Sequence, residues 1–330
     1  MPATSVIDAA LDRSVVLGYT RLGSALRRNW WPADPAPASL RGKRVLVTGA
    51  TSGIGEAMIE SFAALGAAVH VLGRNERKVR RSANALRGAH PHVEVVEEVC
   101  DVGDLDAVRE WTTDFRGRVS TLHGLVHNAG TMTDERQESK QGHELQLAVH
   151  VLGPHLMTER LAPVLDNAGG ATVVFMSSGG MYGSVLRDDD LEYEKGSYNR
   201  VQGYARTKRM QVTLAAAWSK RLAAQAKGRP GTDTAVESMH PGWVETAGVA
   251  QHLPTFRRLT GPALRTAEDG ADTAVWLVAT RPDSTGTGHF WHDRTIRPTT
   301  FGWQRREDQE KVRRFLQQVS EATDTATDWA

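Results

Sequence analysis

Residues 44–55, RVLVTGATSGIG, decide the fold of this 330-residue chain. The β-branched run Arg44–Thr48 is typical of a buried strand, and an alanine-rich stretch of helical length follows the glycines. Gly49 allows a tight turn, Gly53 lets another group approach the backbone, and Gly55 admits close packing of the helix on the strand. The stretch therefore predicts a strand, a glycine turn and the start of a helix.

The rest of the chain repeats this alternation of strand and helix. Short β-branched runs predict six further strands, at 68–72, 93–99, 124–127, 172–177, 235–240 and near His289. Segments of helical length separate them, which is the pattern of parallel strands joined by crossover helices. We therefore predict an α/β fold, a doubly wound (Rossmann) parallel sheet of seven strands in a three-layer α/β/α arrangement.

Composition and charge exclude several classes of protein. Forty Lys and Arg against 39 Asp and Glu leave a net charge of +1, so no basic field is available for nucleic acid. A hydrophobic fraction of 40% is that of a folded protein. The single cysteine, Cys100, excludes an internal disulfide, and we expect it in the core. No metal-ligand spacing such as HExxH occurs, so no metal site is expected.

Two extensions flank the predicted core, which we place at residues 41–295. Residues 296–330 carry a short apolar stripe that we expect to serve packing only. Residues 1–40 combine a Pro/Ala linker with an amphipathic helix, whose apolar residues are Ile7, Leu11, Val15, Leu22, Ala25 and Leu26. A basic excess of +4 over residues 1–44, with the pair Trp30-Trp31, suggests peripheral contact with an anionic membrane. The alternative is packing on the body of the protein or on a partner subunit.

The sequence also gives an expectation for the compartment. The longest apolar run has eight residues, far below the roughly 18 that a spanning helix needs. Asp8 and Asp12 stand where a signal peptide would have its apolar stretch. We therefore expect a cytoplasmic protein, peripheral to the membrane if the N-terminal helix binds lipid.

The glycine turn and the next strand end indicate a dinucleotide. Free amides at a helix start hold phosphates, and besides the three glycines the turn offers Thr51, Ser52 and Ile54. Nineteen residues after Gly55, Arg74 takes the position where an acid often grips ribose hydroxyls. A guanidinium there favours the 2′-phosphate of NADP(H), with NAD(H) as the second choice. The alternative is a solvated arginine at the start of a basic helix.

Residues at the ends of the third and fourth strands extend this site. The Asp101 carboxylate, followed by Val102, can accept a hydrogen bond from the adenine amino group, and the alternative is a cap for the helix that begins near Asp104. Asn128, Ala129 and Gly130 close the fourth strand and let the chain pass beside a ribose. Taken alone, these three residues would predict only a turn.

Farther along the chain, three residues are suited to proton transfer. Of the five tyrosines, only Tyr204 has a lysine, Lys208, four residues on, which places both side chains on one face of a helix. A nearby ammonium can lower the pKa of the phenol toward working pH, so that it acts as an acid or base. Ser178 ends the run VVFMSS and can donate a hydrogen bond to a substrate carbonyl.

In order along the chain, TGATSGIG, CDV, HNAG, MSSGG, YARTK and HPGWVET resemble the short-chain dehydrogenases/reductases over about residues 40–295. The insert between Ser178 and Tyr204 resembles the retinol-dehydrogenase branch. The resemblance implies that Tyr204 exchanges the proton, that Lys208 grips the nicotinamide ribose and that Ser178 orients the carbonyl. It places Pro241, Gly242, Val244 and Thr246 beside the nicotinamide, a substrate lid at 247–265, and a dimer or tetramer built through the helices that carry residues 150 and 204.

One residue departs from the family pattern. His150 stands where the family has a catalytic asparagine, so we include it among the catalytic candidates as a group that weakens or reroutes the proton relay. The alternative for His150 is a satisfied packing residue. His127 also replaces an asparagine, but within a strand, and we expect a structural role.

The leading hypothesis is an NADP(H)-dependent oxidoreductase that moves hydride between nicotinamide and a lipophilic carbonyl or alcohol. Trp243, Trp291, Trp303 and the apolar residues of the lid suggest an apolar pocket, although the tryptophans could equally fill the core. The alternative is a cofactor-binding protein with little catalysis that uses its nucleotide state to control a membrane or protein contact. A sugar-nucleotide epimerase is less favoured, because the glycines run TGxxxGxG rather than TGxxGxxG.

Overall fold

The computed structural model describes residues 7–8, 11–12, 14, 16–227, 233–245, 261–282, 286–301 and 307–329. One eight-stranded sheet runs through the centre in the order β3-β2-β1-β4-β5-β6-β7-β8. Strands β1 to β7 are parallel, and β8 pairs antiparallel with β7. The strands are β1 Arg44–Thr48, β2 Ala68–Gly73, β3 Val95–Val99, β4 Gly124–His127, β5 Thr172–Met176, β6 Ala235–Met239, β7 Phe290–His292 and β8 Thr295–Arg297.

Helices cover both faces of the sheet, which confirms the three-layer doubly wound fold. The described α-helices are α1 Val16–Tyr19, α2 Arg21–Arg27, α3 Gly53–Ala64, α4 Glu76–Ala89, α5 Leu105–Arg118, α6 Leu145–Leu147, α7 Gly153–Asp166, α8 Arg200–Ala226, α9 Ala267–Thr280 and α10 Gln309–Ala322. One large apolar core lies under α3, α4 and α9, a second lies under α5, α7, α8 and α10, and a small third cluster includes Tyr19. Because the strand order reverses between β1 and β4, a crevice opens at the carboxyl ends of these strands.

All seven predicted strands are present, and β8 was not predicted. The turn between β7 and β8 consists of Asp293 and Arg294, both with positive φ, 51° and 54°. Two such residues form the tight mirror-image turn that suits a hairpin, which Asn-Gly normally provides. Here buried ion pairs hold the two side chains, Asp293 to Arg265 and Arg294 to Asp272. The sheet therefore extends to Arg297, two residues beyond the predicted domain boundary at 295.

The N-terminal extension packs on the body, but not through its apolar stripe. We call residues 16–30, which contain α1, α2 and a 3₁₀ turn, the N-terminal strap. Its buried residues include Tyr19, Ser24 and Arg27, whereas Leu22 and Leu26 are 69% and 43% exposed. The apolar stripe of the predicted amphipathic helix is thus exposed rather than packed on the body, because buried ion pairs of Arg27 with Asp8 and Asp293 turn the polar face inward.

The C-terminal extension covers the outer side of α7 and α8. Phe315, Leu316 and Val319 of α10 are buried in the core that lies on this side of the sheet, as the predicted packing stripe requires. Trp329 then lies against the rings of His155 on α7 and Trp218 on α8. Every residue of α8 from 205 to 215 is consequently buried within the single chain.

Several core positions are occupied by uncharged histidines, which predicts loss of stability in acid. Burial lowers the pKa of His127, His155 and His292 to about 3, and lowers that of His150 and His240 well below the usual value. In the unfolded chain these histidines bind protons from about pH 6.5 downward, whereas in the folded chain they stay neutral. Each histidine therefore lowers the free energy of unfolding by up to about 1.4 kcal/mol for each pH unit of acidification. Burial raises the pKa of Glu237 to about 7, so the folded chain binds this proton at a higher pH than the unfolded chain. Glu237 therefore offsets part of the stability that the histidines lose in acid.

We therefore expect the melting temperature to fall steeply between pH 6.5 and pH 4, with net proton uptake on unfolding. Thermal unfolding followed by circular dichroism at fixed ionic strength measures this dependence. A melting temperature that stays constant down to pH 4 would contradict the assignment of neutral, buried histidines.

Candidate active site

The turn after β1 is shaped so that side chains are excluded from it. Gly49 has φ +64°, and a Cβ at this position would lie 2.8 Å from Cα of Ala129. A Cβ on Gly55 would lie 2.3 Å from the carbonyl oxygen of Gly49. Gly53, with φ +55°, begins α3, whose first amides have no partner within the helix. The turn therefore fits the phosphates of a dinucleotide, and Thr51, Ser52 and Ile54 lie in it as predicted.

Asn128 fixes this turn to the end of β4. Its side-chain amide donates to the carbonyl oxygens of Thr48 and Gly49, at 3.0 and 3.2 Å. The Thr48 hydroxyl oxygen accepts from the backbone amides of Asn128 and Ala129, both at 3.0 Å. The Asn-Ala-Gly segment is thus an integral part of the glycine turn rather than an independent loop.

The residues predicted for the adenine half lie around the same turn. Arg74 is exposed at the end of β2, and a Cβ on the preceding Gly73 would lie 2.9 Å from the Thr51 side chain. The Asp101 carboxylate accepts from the amide of Gly103 at 3.0 Å. Asp104, not Asp101, caps α5 by accepting from the amides of residues 106 and 107, so the helix-cap alternative for Asp101 is wrong. Val102 is buried beneath α7.

Ser178, Tyr204 and Lys208 meet at the carboxyl end of β5. Ser178 lies just after the strand, and its side chain is near the phenol of Tyr204. Helix α8 carries both Tyr204 and Lys208, and the lysine Nζ lies 5.3 Å from the centroid of the tyrosine ring. Ser177 anchors the helix, because its hydroxyl donates to the Lys208 carbonyl at 2.8 Å. The predicted group of three is therefore assembled.

The protonation of this group differs from the expectation that Lys208 lowers the pKa of Tyr204. Burial raises the pKa of Tyr204 above its usual value, and the nearby Ser178 side chain only partly opposes this. Burial also lowers the pKa of Lys208 to about 7. The Lys208 ammonium donates instead to the carbonyl oxygen of Met176 and to Oε1 of Gln211, at 2.8 and 2.9 Å. In this state Tyr204 is a protonated acid.

His150 is a satisfied buried residue rather than a free relay group. It lies in a π-helical turn, residues 148–152, and is fully buried. Its Nε2 accepts from the amide of Thr131 at 3.0 Å, so Nδ1 carries the proton and donates to the Thr207 hydroxyl at 2.8 Å. Since both nitrogens are engaged, we withdraw His150 from the catalytic candidates and assign it to holding the Asn-Ala-Gly loop against α8.

The loop after β6 approaches the glycine turn from the other side. Gly242 has φ +78°, and Val244 forms a parallel bridge with Arg265. A Cβ on Gly270 of α9 would lie 2.7 Å from Val244 and 3.3 Å from Ile54, so these two side chains adjoin the same spot. Pro241–Val244 therefore lie next to the glycine turn, whereas Thr246 and residues 247–260 of the lid lie outside the described residues.

The short chain dehydrogenase family model matches residues 43–186 of this chain. The human dehydrogenase/reductase SDR family member 12 (Homo sapiens) is 30% identical over 309 residues, which cover 92% of this chain and 94% of that relative. The chain belongs to the short-chain dehydrogenase/reductase family. It is similar to the retinol-dehydrogenase branch as well, as the insert before Tyr204 predicted: human retinol dehydrogenase 12 is 31% identical, covering 77% of this chain and 78% of that relative.

A solved reductase structure shows the same fold. The L-sorbose reductase from Gluconobacter frateurii, complexed with NADPH and L-sorbose, superposes with a TM-score of 0.62 at 19% identity, over 78% of this chain and 98% of that chain. At this identity the likeness concerns the fold alone.

Three residues of this short-chain dehydrogenase site were missed by the sequence reasoning. Gln211 accepts from Lys208, and its only sequence signal is a polar residue three positions after the lysine in a buried helix. Arg265 is buried beside the loop after β6, although it lies in the predicted lid. Tyr19 was set aside because it lacks a lysine four residues on. Of the tryptophans, Trp291 is a core residue whose indole donates to Glu237 at 2.9 Å, and Trp303 lies outside the described residues.

Proposed function

We propose that this chain is an NADP(H)-dependent oxidoreductase that transfers hydride between the nicotinamide and a lipophilic carbonyl or alcohol. The observation that carries the proposal is the grouping of Ser178 and Tyr204 at the end of β5, with the Lys208 ammonium 5.3 Å from the centroid of the phenol ring. This pair lies at the sheet edge where the glycine turn is suited to bind a dinucleotide. When bound, that cofactor supplies or accepts the hydride.

The chain's own residues account for the proton. During reduction, Ser178 donates a hydrogen bond to the carbonyl oxygen, and the phenol of Tyr204 transfers its proton to that oxygen as the alcohol forms. The tyrosinate left behind is stabilised by Lys208, whose ammonium reaches it by leaving the Met176 carbonyl or Gln211. Oxidation of the alcohol runs through the same groups in reverse. The protonated Tyr204 of this structure is the form that begins reduction.

Arg74 supports the preference for NADP(H). It is exposed beside the glycine turn, and among the described residues no carboxylate pairs with it. We expect Arg74→Asp to lower the ratio of NADPH to NADH affinity by roughly tenfold to a hundredfold, because a charge-assisted hydrogen bond is replaced by repulsion. Fluorescence titration with both cofactors measures the ratio. Arg81→Asp, an equal charge change farther along the exposed face of α4, is the control, and an unchanged ratio in Arg74→Asp would remove Arg74 from the site.

A lipophilic substrate is supported by the relatives and by the site's surroundings. Curated relatives include retinol and polyprenol dehydrogenases, whose named substrates are long and apolar. Near the site, Leu264 is buried and Trp243 is half-buried. The alternative, a cofactor-binding protein with little catalysis, is favoured only by the histidine in place of the family asparagine at position 150. Cofactor binding without turnover on a panel of apolar aldehydes and ketones would favour it.

We propose that the protein is cytoplasmic and that it contacts a membrane peripherally through the N-terminal strap. Leu17, Leu22 and Leu26 are all exposed, and Arg21 lies among them. Such a face is typical of an amphipathic helix that rests on an anionic lipid surface. None of the helices in the described ranges has the length and apolar character needed to span a bilayer.

We propose a monomer in place of the dimer or tetramer that the family resemblance implies. The reason is that α10 and Trp329 occupy the outer side of α7 and α8, where pairing was expected. Gel filtration with light scattering at low micromolar concentration is expected to give the mass of one 36.1 kDa chain. A stable species of twice that mass would contradict this proposal.

A further inference from the structure

The N-terminal strap contacts the turn that presents Ser178. The ring of Tyr19 is 1% exposed and lies edge-on to His240 and His292, at centroid distances of 4.5 and 5.2 Å. A Cβ on Gly179, the residue after Ser178, would lie 2.5 Å from Cε2 of Tyr19. The ring therefore occupies the space in which a side chain at position 179 would stand.

The backbone of Tyr19 is hydrogen-bonded to the Gly242 loop, which the family resemblance places beside the nicotinamide. Its carbonyl oxygen accepts from the amide of Trp243 at 2.8 Å and from Nε of Arg265 at 2.9 Å. A Cβ on Gly242 would lie 2.8 Å from this carbonyl oxygen. Tyr19 thus contacts both loops of the site, the Ser178 turn through its ring and the Gly242 loop through its backbone.

Buried ion pairs hold the strap in this position. Arg265 donates to both oxygens of Asp293, at 2.5 and 2.9 Å, and to the carbonyl oxygen of Gly18 at 2.9 Å. Arg27 donates to the same Gly18 carbonyl at 2.9 Å and to Asp293 at 2.8 Å. Because these groups are almost fully buried, each depends on its partners to compensate for lost hydration. The strap is therefore fixed to the body at the residue before Tyr19.

We propose that Tyr19 is a positioning residue, a wedge that holds the Ser178 turn and the Gly242 loop at the separation that the reaction requires. The inference rests on the proposed function. The ring carries the role, because the Tyr19 hydroxyl has no hydrogen-bond partner among the described residues. Ser178 orients the carbonyl, and the Gly242 loop borders the reacting end of the cofactor, so their relative position sets the geometry of hydride transfer.

Tyr19→Ala tests the wedge in the full chain, with three readouts. We expect kcat to fall roughly tenfold to a hundredfold, because displacement of reacting groups by about 1 Å has effects of this size. We expect weaker NADPH binding, and unchanged binding of adenosine 2′,5′-bisphosphate, which probes only the adenine half of the site. Tyr19→Phe keeps the ring and is expected to restore all three values to within about twofold of wild type.

A second pair of variants tests the contact from the other side and does not depend on the folding of Tyr19→Ala. Gly179→Ala places a methyl group against the Tyr19 ring, and we expect a fall in kcat of about tenfold or more. Gly183→Ala lies in the same turn, and its Cβ would meet nothing within 4 Å, so it is the matched control. In the Tyr19→Ala background, the effect of Gly179→Ala should shrink, since the obstructing ring is gone.

The inference is overturned if Tyr19→Ala keeps wild-type kcat and NADPH affinity, or if Gly179→Ala and Gly183→Ala behave alike. An equal loss of NADPH and bisphosphate binding would show a general structural role and would also overturn it. Wild-type protein without turnover on any carbonyl would refute the proposed function instead. The ratio of NADPH to bisphosphate affinity in the variants would still decide the role of Tyr19.

Discussion

Tyr204→Phe is expected to lower kcat by roughly a thousandfold, the typical contribution of a general acid, while cofactor affinity stays within about threefold of wild type. The substitution removes the proton that reaches the carbonyl oxygen, but keeps the aromatic ring beside Lys208. Burial that raises the pKa of Tyr204 makes the phenol the acid for reduction. Steady-state NADPH consumption and fluorescence titration measure the two quantities separately.

Tyr193→Phe is the matched control for this variant. Tyr193 lies in the insert before α8, and its hydroxyl donates to the side chain of Gln202 at 2.9 Å. The Tyr193→Phe substitution is expected to leave kcat unchanged to within about twofold. If Tyr204→Phe retained more than about a tenth of wild-type kcat, another group would have to supply the proton. The assignment of Tyr204 would then be wrong.

Gly55→Ala is expected to abolish cofactor binding at concentrations that saturate the wild type. The new Cβ would lie 2.3 Å from the Gly49 carbonyl oxygen and 2.6 Å from Nδ2 of Asn128. These are the two groups whose hydrogen bond fixes the glycine turn to the end of β4. The backbone must shift to accept the methyl group, at a cost of about 1–3 kcal/mol in the free energy of unfolding.

Gly88→Ala serves as the control for Gly55→Ala. Gly88 is exposed in α4, and its Cβ would meet nothing within 4 Å. Alanine there should raise the free energy of unfolding by about 0.5–1 kcal/mol, because glycine is unfavourable inside a helix. Isothermal titration with NADPH and urea unfolding distinguish the two variants. Normal NADPH binding by Gly55→Ala would show that the turn after β1 does not hold the phosphates.

Strong local patterns were enough to predict the sheet and the reacting group. The β-branched runs placed β1 to β7, because strands buried on both faces must be apolar throughout. The order of the glycine turn, Ser178, Tyr204 and Lys208 along the chain predicted one site, since carboxyl ends of parallel strands meet at one edge. These features depend on residues close together in sequence or on a topology that short crossovers enforce.

Features that depend on long-range buried charges could not be predicted in the same way. The sequence left open whether the apolar stripe with Leu22 and Leu26 faces a membrane or the body of the protein, and ion pairs of Arg27 with Asp8 and Asp293 bury the polar face instead. Asp293 lies 266 positions away from Arg27, and no local pattern connects them. Similarly, β8 exists because Arg265 and Asp272 hold an unusual Asp-Arg turn. The hydrogen bonds that saturate His150 come from Thr131 and Thr207 and required the fold to be known.

The most direct measurement of the central claim follows the hydride itself. The protein is incubated with an apolar aldehyde and with NADPH that carries deuterium at one face of C4, using each stereoisomer in turn. The mass of the product alcohol is then measured by mass spectrometry. The proposed function predicts an alcohol heavier by one mass unit from one stereoisomer only, and no product with Tyr204→Phe. An alcohol without deuterium from both stereoisomers, or no NADPH-dependent alcohol across a panel of apolar carbonyls, would contradict it.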